Sequence, residues 1–309
     1  MRRQDGGNYT DGGDGTDETP ATTTEDDGTT TDNTLVARWT TYDSWMNQLD
    51  GSRSVIGIPW TNEVAKGWSK VGPLSKKLIG LYTWTEWIPV ECAKYGLRCF
   101  PMLKNNKSDK ISAFKSKIKW GTQGKASQYM MGPNECNLAS QGNLTPAQAA
   151  TVIKTYMYPL LSKAPNDGGY LLVGPSVANG ASGQAWMDKF VKEQSAVWDK
   201  VAVQSVHCYS PDVASIKAWM KLAHDRWGKP IFLTEYGCQS FTSSKTCTSA
   251  QALAMAKDLK AYCEANSWCR GVFPYSTFVT SRVGVNKVNA MFSNSNGDLT
   301  SLGKSLLAV

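Results

Sequence analysis

Two glutamates stand near the ends of apolar runs, where their carboxyl groups could do acid–base chemistry. Glu135 closes the run YMMGPNE directly after Asn134, and Glu235 lies in the run IFLTEYG. A single glutamate after a strand is usually a surface residue or the first acid of a helix. Two glutamates held together, however, allow one carboxyl group to donate a proton while the other attacks or activates water. The pair therefore indicates a hydrolytic site, provided that the fold brings the two runs together.

The elements that could position these residues alternate along the chain. Short apolar runs alternate with longer amphipathic stretches, as in TPAQAATVIKTYMYPLL, where we expect Thr145 to be the N-cap and Pro146 the first helical residue. The runs span 54–60, 78–84, 98–103, 129–135, 170–177, 203–209, 231–237 and 270–278. Such alternation predicts parallel strands joined by crossover helices.

Eight strand–helix units over about 250 residues predict an α/β fold of the (β/α)₈ TIM-type barrel class. The alternative is a doubly wound open sheet, which would usually carry a Gly-rich phosphate loop after its first strand. The segment GIPWTNEVAKG has no such loop, so the barrel is favoured. Active sites of barrels form at the carboxyl ends of the strands, which directs attention to the last residues of each run.

Aromatic residues and one histidine surround the two glutamates at these strand ends. Flat aromatic rings bind the apolar faces of sugars with little loss of conformational entropy, and Asn134 could hydrogen-bond a sugar hydroxyl. Two carboxyl groups ringed by aromatics are what hydrolysis of a glycosidic bond requires. The candidate substrate-binding residues are Asn134, Trp60, Trp84, Trp87, His207, Tyr209, Tyr236, Tyr275 and Phe278.

Several motifs in the same order resemble glycoside hydrolase family 128. They are FPML, GPNECN, SVHCYS, IFLTEYGC, VFPYSTF and LTSLGKSLL, between about Ser54 and Leu307. The resemblance implies endo-acting cleavage of β-1,3-glucan with retention of configuration, Glu135 as acid/base and Glu235 as nucleophile. The mechanism would then require Glu135 to carry the proton while Glu235 is ionised. The chain departs from the family pattern at Cys136, Cys208, Lys104 and Thr277.

Two other functions fit the same residues. A non-catalytic β-glucan-binding protein could keep the aromatic cleft, although it would need neither carboxylate. A retaining β-1,4-glycanase would use the same pair of glutamates on a different polymer.

The eight cysteines predict three local disulfides and two free thiols. Cys92–Cys99 and Cys263–Cys269 would each join a helix end to the next strand, and Cys238–Cys247 would close a loop. Cys136 and Cys208 should point towards the helix layer and lie about 9–10 Å apart, beyond the roughly 7 Å limit of a disulfide. Disulfides indicate an oxidising compartment and a secreted protein. No spacing of cysteines with the two histidines fits zinc, so we expect neither metal nor cofactor.

Composition divides the 309-residue chain into two parts. Residues 1–34 contain no Leu, Ile, Val or Phe and carry nine acidic and two basic side chains, which predicts a disordered tail. Residues 35–309 carry 31 basic and 17 acidic side chains and form the expected single catalytic domain. The tail lacks the apolar core of a signal peptide, so secretion would imply a processed chain.

The excess of basic side chains in residues 35–309 could suit an acidic partner. The chain has neither an arginine-rich helix nor an RNP-like strand, however, so we expect that it does not bind nucleic acid. No apolar run approaches the roughly 18 residues needed to span a bilayer, so we expect a soluble protein with no membrane partner. The expected assembly is a monomer.

Overall fold

The computed structural model describes residues 54–119, 128–163, 167–243 and 245–308. The predicted tail, residues 1–34, lies outside them, and its disorder stays a prediction. Eight strands alternate with helices, as predicted. The strands are β1 Ile58–Pro59, β2 Leu81–Tyr82, β3 Cys99–Phe100, β4 Gln128–Met131, β5 Tyr170–Val173, β6 Val201–Tyr209, β7 Ile231–Gly237 and β8 Cys269–Pro274.

Nine α-helices follow or connect these strands in the described part of the chain. They are α1 Trp68–Val71, α2 Val90–Tyr95, α3 Ser108–Lys117, α4 Pro146–Val152, α5 Ala181–Glu193, α6 Ser195–Trp198, α7 Val213–Trp227, α8 Ser249–Ala265 and α9 Ser301–Leu307. Five residues in π conformation, Ile153–Met157, extend α4. None of these helices combines the length and apolarity that crossing a bilayer requires.

The strands pair in parallel and in sequence order within two sheets, β1–β2–β3 and β4–β5–β6–β7–β8. Isolated parallel bridges lie at the edges of the sheets, Ile56 with Val272 and Met102 with Met131. Strands β1 and β3 are shorter than the runs that predicted them. Each stops at or before a proline, Pro59 or Pro101, which has no N–H to donate to a ladder.

Apolar residues of the strands divide between two clusters, as alternation requires. Tyr129 and Met131 belong to an inner cluster with Phe232, whereas Met130 belongs to the outer cluster between the strands and the helices. The outer cluster also holds Leu233. Residues on the two faces of one strand are thus buried by different partners, which fixes the strand's register.

Helix α4 begins as its sequence predicts. Thr145 is the N-cap, and its hydroxyl accepts the Gln148 N–H at 3.2 Å, while the Gln148 amide oxygen accepts the Thr145 N–H at 2.8 Å. Pro146 occupies the first turn, where its missing N–H costs nothing. This capping box starts the helix soon after the loop that carries Glu135.

The three predicted disulfides are present, with Cα–Cα distances of 6.1, 5.5 and 5.1 Å for Cys92–Cys99, Cys238–Cys247 and Cys263–Cys269. Cys136 and Cys208 are free and buried in the outer cluster, as predicted. Burial raises the pKa of both thiols, to about 12 for Cys208. Since the thiolate is the nucleophilic form, neither side chain is suited to nucleophilic chemistry.

Candidate active site

Glu135 is delivered by the loop that follows β4, not by the strand itself. Its backbone adopts a left-handed conformation, with φ of 43°, which is uncommon for a residue with a side chain. The N–H of Glu135 donates to the Ser176 hydroxyl at 2.8 Å, and that of Cys136 donates to the Ser176 carbonyl at 3.1 Å. Ser176, just beyond β5, thus compensates for the backbone strain and orients the carboxyl group.

Glu235 reaches the site because β7 changes register. Val206 pairs with Leu233, but His207 pairs with Glu235, so Thr234 is an extra residue opposite β6. Leu233 and Tyr236 both lie in the outer cluster although they are three residues apart. Strict alternation from Leu233 would have turned Glu235 towards the helices. The shift instead turns it towards the other site residues, a common use of strand irregularities beside active sites.

The two glutamates and His207 form one buried cluster. His207 Nδ1 lies 3.0 Å from Glu135 Oε1 and 3.7 Å from Glu235 Oε1. One oxygen of each carboxyl group and one His207 nitrogen all lie within 4.8 Å of one another. The loop after β4 and the strands β6 and β7 therefore bring Glu135, His207 and Glu235 together, which is the meeting of side chains that the sequence predicted.

Glu235 accepts two hydrogen bonds from aromatic side chains. The indole N–H of Trp84 donates to Oε1 at 2.6 Å, and the hydroxyl of Tyr209 donates to Oε2 at 2.8 Å. Burial raises the pKa of Glu235; attraction to His207 and the two aromatic donors oppose that rise, whereas Glu135 adds to it. The aromatic donors thus favour the ionised form of a carboxyl group that burial disfavours.

The pKa of His207 is raised. Burial of the imidazole acts against protonation, but attraction to Glu235 and the contact with Glu135 outweigh it. The charge of Lys104, in the loop after β3, has a smaller opposing effect. Burial lowers the pKa of the Lys104 amine, while Glu235 and Glu135 act in the opposite direction. The cluster therefore joins two acids to one nitrogen base, and the amine of Lys104 interacts electrostatically with both carboxyl groups.

Asn134 is buried beside Glu135. Its amide oxygen lies 3.4 Å from the Ser176 hydroxyl, and its backbone N–H donates to the Lys104 carbonyl at 2.9 Å. These contacts hold Asn134 at the site, where its role in binding a sugar hydroxyl stays a prediction.

Two of the predicted aromatic residues, Trp84 and Tyr209, contact a carboxyl group directly through their hydrogen bonds to Glu235. Tyr275 and Phe278 belong to a small buried cluster against which Trp84 and Tyr209 pack. The ring centroids of Trp84 and Tyr275 are 5.4 Å apart. Trp87 lies in the loop after β2 and is 37% exposed, so its ring is accessible to a ligand. Phe278 is 0% exposed, so we correct its predicted contact with sugar: its ring packs in the core. The sugar contacts of the other four rings stay predictions.

Trp60 and Tyr236 lie elsewhere. Trp60 is 1% exposed and packs against Trp68, with ring centroids 4.1 Å apart, in the outer cluster. Tyr236 also packs in the outer cluster, because it follows Glu235 on β7 and points to the opposite face. We correct both expectations: these rings help to build the core and do not contact the carboxyl groups.

Sequence reasoning missed Ser176 and Phe241. Ser176 is the last residue but one of the fifth apolar run, so its position near a strand end was an available signal. Phe241, whose ring contacts Tyr209, lies in the loop after β7 and carries no recognisable pattern. Lys104 departs from the family motif, and the motif gives no sign that its charge interacts with both glutamates.

Glu135, His207 and Glu235 are also the kinds of donor that bind metal ions. Their polar atoms are already engaged, however: His207 is joined to Glu135, and both oxygens of Glu235 accept hydrogen bonds. This arrangement suits proton transfer and nucleophilic attack better than metal coordination, and the absence of a metal stays a prediction.

Replacing Tyr209 with phenylalanine should shift the acid limb of activity to higher pH. The hydroxyl stabilises ionised Glu235, so its loss raises the pKa of Glu235, and activity that needs the ionised form is lost at a higher pH. We expect kcat/KM to fall about 10- to 100-fold, because this is the rate factor that corresponds to the free energy of one hydrogen bond to a charged group. A pH–rate profile measures both effects.

The matched control is Tyr158→Phe, which removes a hydroxyl that donates to the Ala196 carbonyl on the surface. An unchanged profile for Tyr209→Phe would show that the hydrogen bond to Glu235 has no part in catalysis.

Comparisons with known proteins agree with this geometry. A family model described as "Glycosyl hydrolase catalytic core" matches residues 57–306. No curated protein matches the sequence. Similar solved structures include an exo-β-1,3-glucanase of glycoside hydrolase family 128 from Aureobasidium namibiae, 16% identical, with a TM-score of 0.63 over 81% of this chain and 94% of that one.

Two more structures of the same family show the range of its members. An endo-β-1,3-glucanase from Amycolatopsis mediterranei, in complex with laminarihexaose, is 18% identical, with a TM-score of 0.61 over 83% of this chain and 99% of that one. An oligosaccharide-binding protein from Cryptococcus neoformans is 19% identical, with a TM-score of 0.59 over 83% and 93% of the two chains. The resemblance to family 128 is therefore confirmed at the level of the fold.

Proposed function

Because the chain belongs to the family of glycosyl hydrolase catalytic cores, we propose that it is a retaining endo-glycosidase that hydrolyses β-1,3-glucan. The observation that carries this proposal is the close approach of Glu135 and Glu235, with one oxygen of each carboxyl group within 4.8 Å of the other. Retaining enzymes hold their carboxyl groups about 5–5.5 Å apart, whereas inverting enzymes leave about 6.5–9.5 Å for a water molecule. The spacing therefore favours retention.

Hydrogen bonding favours Glu235 as the nucleophile. Trp84 and Tyr209 both donate to it, which stabilises the negative charge that attack requires. Glu135 would then protonate the leaving oxygen while Glu235 bonds to the anomeric carbon. In the second step Glu135 removes a proton from water, and that water displaces Glu235. The His207 contact with Glu135 orients the carboxyl group in both steps.

We also propose that the eight strands close into a (β/α)₈ barrel within a catalytic domain of residues 35–309. The Ile56–Val272 and Met102–Met131 bridges support closure, since each joins an edge of one sheet to an edge of the other. The family 128 structures, which this chain matches over most of their length, support it further.

β-1,3-Glucan is favoured as substrate because the similar enzymes from A. namibiae and A. mediterranei act on it. Their exo and endo names show that the fold accommodates both modes, and a β-1,4-glycanase remains the alternative among enzymes. Three disulfides and the nature of the polymer favour an extracellular location.

A non-catalytic function has one observation in its favour, the similarity to the C. neoformans oligosaccharide-binding protein. Both carboxyl groups and their hydrogen-bond partners are present here, and a binding protein would need neither glutamate in this arrangement. Catalysis is therefore the better-supported function.

The deciding experiment incubates the protein with laminarin, curdlan and a soluble β-1,4-glucan and measures new reducing ends. We expect cleavage of the β-1,3-glucans, a ladder of oligosaccharides in early samples, and β-anomers as first products by proton NMR. Binding to laminarin without new reducing ends would support the binding protein instead. First products with α-anomers would contradict retention.

A further inference from the structure

The ring of Tyr209 is held by two residues that follow Glu235. The Phe241 ring meets it edge-on, with centroids 4.8 Å apart and planes at 66°. Gly237 lies directly against it, since a Cβ at that position would come within 3.0 Å of two ring carbons. The Tyr209 hydroxyl donates to Glu235 Oε2 at 2.8 Å. The Tyr209 ring also packs against the buried cluster of Tyr275 and Phe278. The direction of this hydroxyl therefore depends on that cluster together with Phe241 and Gly237.

Phe241 is placed by a loop that a covalent bond closes. The Cys238–Cys247 disulfide joins the two ends of the loop, and next to it Gln239 pairs with Thr246 in an antiparallel bridge. The Cys238 N–H donates to Asn289 Oδ1 at 2.7 Å, and the Gln239 side chain donates to the Gly284 carbonyl at 2.8 Å. These contacts anchor the base of the loop to the segment after β8.

Phe241 itself is 55% exposed, so little of its apolar surface is buried in the core. Its ring contacts Tyr209 and also lies against Gly284, where an added Cβ would come within 3.0 Å of a ring carbon. Exposure of a single aromatic side chain carries no function by itself, so the role of Phe241 rests on its contact with Tyr209, a hydrogen-bond donor to Glu235.

We propose that Phe241 is a positioning residue that keeps the Tyr209 hydroxyl on Glu235, and that the Cys238–Cys247 disulfide holds Phe241 in place. Catalysis would then depend on the oxidation state of this one disulfide. When the ring of Tyr209 is free to turn, Glu235 loses one of its two aromatic donors for part of the time. Glu235 is then less readily ionised, so attack on the anomeric carbon slows at acid pH.

A double-mutant cycle between Phe241 and Tyr209 tests this directly. Phe241→Ala should lower kcat on laminarin about two- to tenfold, shift the acid limb to higher pH, and leave KM nearly unchanged. In a Tyr209→Phe background, which has no hydroxyl to position, Phe241→Ala should add almost nothing. Phe241→Tyr, which keeps the ring, should restore the wild-type profile.

The control for loss of an exposed apolar side chain is Leu222→Ala, because Leu222 is 37% exposed on helix α7. We expect no change in its pH profile. Additive effects of Phe241→Ala and Tyr209→Phe would overturn the proposal. So would a defect of Phe241→Ala confined to KM for long glucans, which would make Phe241 a substrate contact.

The redox part is tested with the Cys238→Ser/Cys247→Ser double variant. It should reproduce the kcat and pH profile of Phe241→Ala, and mild reduction should shift the wild-type profile in the same direction without altering the variant. Wild-type kinetics in the double variant would show that the disulfide does not hold Phe241.

Because the inference rests on the proposed glucanase activity, one readout must not need substrate. Titration of ¹³Cδ-labelled glutamates by NMR, with Glu235 assigned by the signal lost in Glu235→Gln, reports the ionisation of Glu235 in each variant. A raised Glu235 pKa in Phe241→Ala supports positioning even if no glucan is cleaved, whereas an unchanged pKa overturns it. Absence of glucan cleavage by the wild type would count against the proposed function alone.

Discussion

Replacing Glu235 with alanine is expected to abolish hydrolysis of every β-1,3-glucan substrate, whatever its leaving group. Glu235 is the carboxyl group that two aromatic donors stabilise as an anion, and without it no glycosyl-enzyme can form by the normal route. We expect kcat to fall by about 10⁴-fold or more, as for other lost nucleophiles. Reducing ends released from laminarin and phenolate released from an aryl β-laminaribioside measure the loss.

The matched controls for this variant are Glu264→Ala, which removes a glutamate from the partly exposed ion pair with Lys260, and thermal melting, which detects misfolding. If Glu235→Ala cleaves aryl glycosides at the wild-type rate, Glu235 is not the nucleophile.

Replacing Glu135 with alanine should have an effect that depends on the leaving group. In the proposed mechanism the nucleophile survives this change, and only proton transfer to the leaving oxygen and from water is lost. Cleavage of laminarin, whose leaving group is a poor alcohol, should fall about 10²- to 10⁴-fold. A dinitrophenyl glycoside needs little protonation, so its first step should persist and the glycosyl-enzyme should accumulate.

Azide separates the roles of the two glutamates because it attacks without a general base. It should speed turnover of the dinitrophenyl glycoside by Glu135→Ala and yield a β-glycosyl azide, with laminarin cleavage still impaired. Rescue of Glu235→Ala instead, with an α-glycosyl azide as product, would reverse the two assignments. Full activity of both variants would refute a glycosidase at this site.

The sequence predicted the alternation of strands and helices and the meeting of Glu135 with Glu235. Both predictions depend on strand order and strand ends, which apolar periodicity reveals. The same periodicity placed Cys208, on β6, correctly in the outer cluster. Cys136 is also in that cluster, but it lies in the loop after β4, where strand alternation does not apply.

Periodicity could not foresee the extra residue at Thr234, because a register shift is a property of two paired strands and not of one. With Glu235 turned towards the site by that shift, Tyr236 points to the helices. The prediction that Trp60 binds substrate was wrong for another reason. The end of a strand gives the position of a residue along the strand but not the space around its side chain, and Trp68 already fills the space beside Trp60. Phe241 was missed because loops carry no period.

All three disulfides join cysteines that are close in the chain, separated by seven, nine and six positions. Loops of about ten residues close within about 10–100 ns, long before distant strands can meet. Each correct partner is therefore the nearest thiol in the growing chain. Correct pairing therefore does not depend on the sheet, because each thiol meets its proper partner more often than any other. The crosslinks themselves form at the pace of thiol oxidation, seconds to hours, with little need for a catalyst that reshuffles wrong ones.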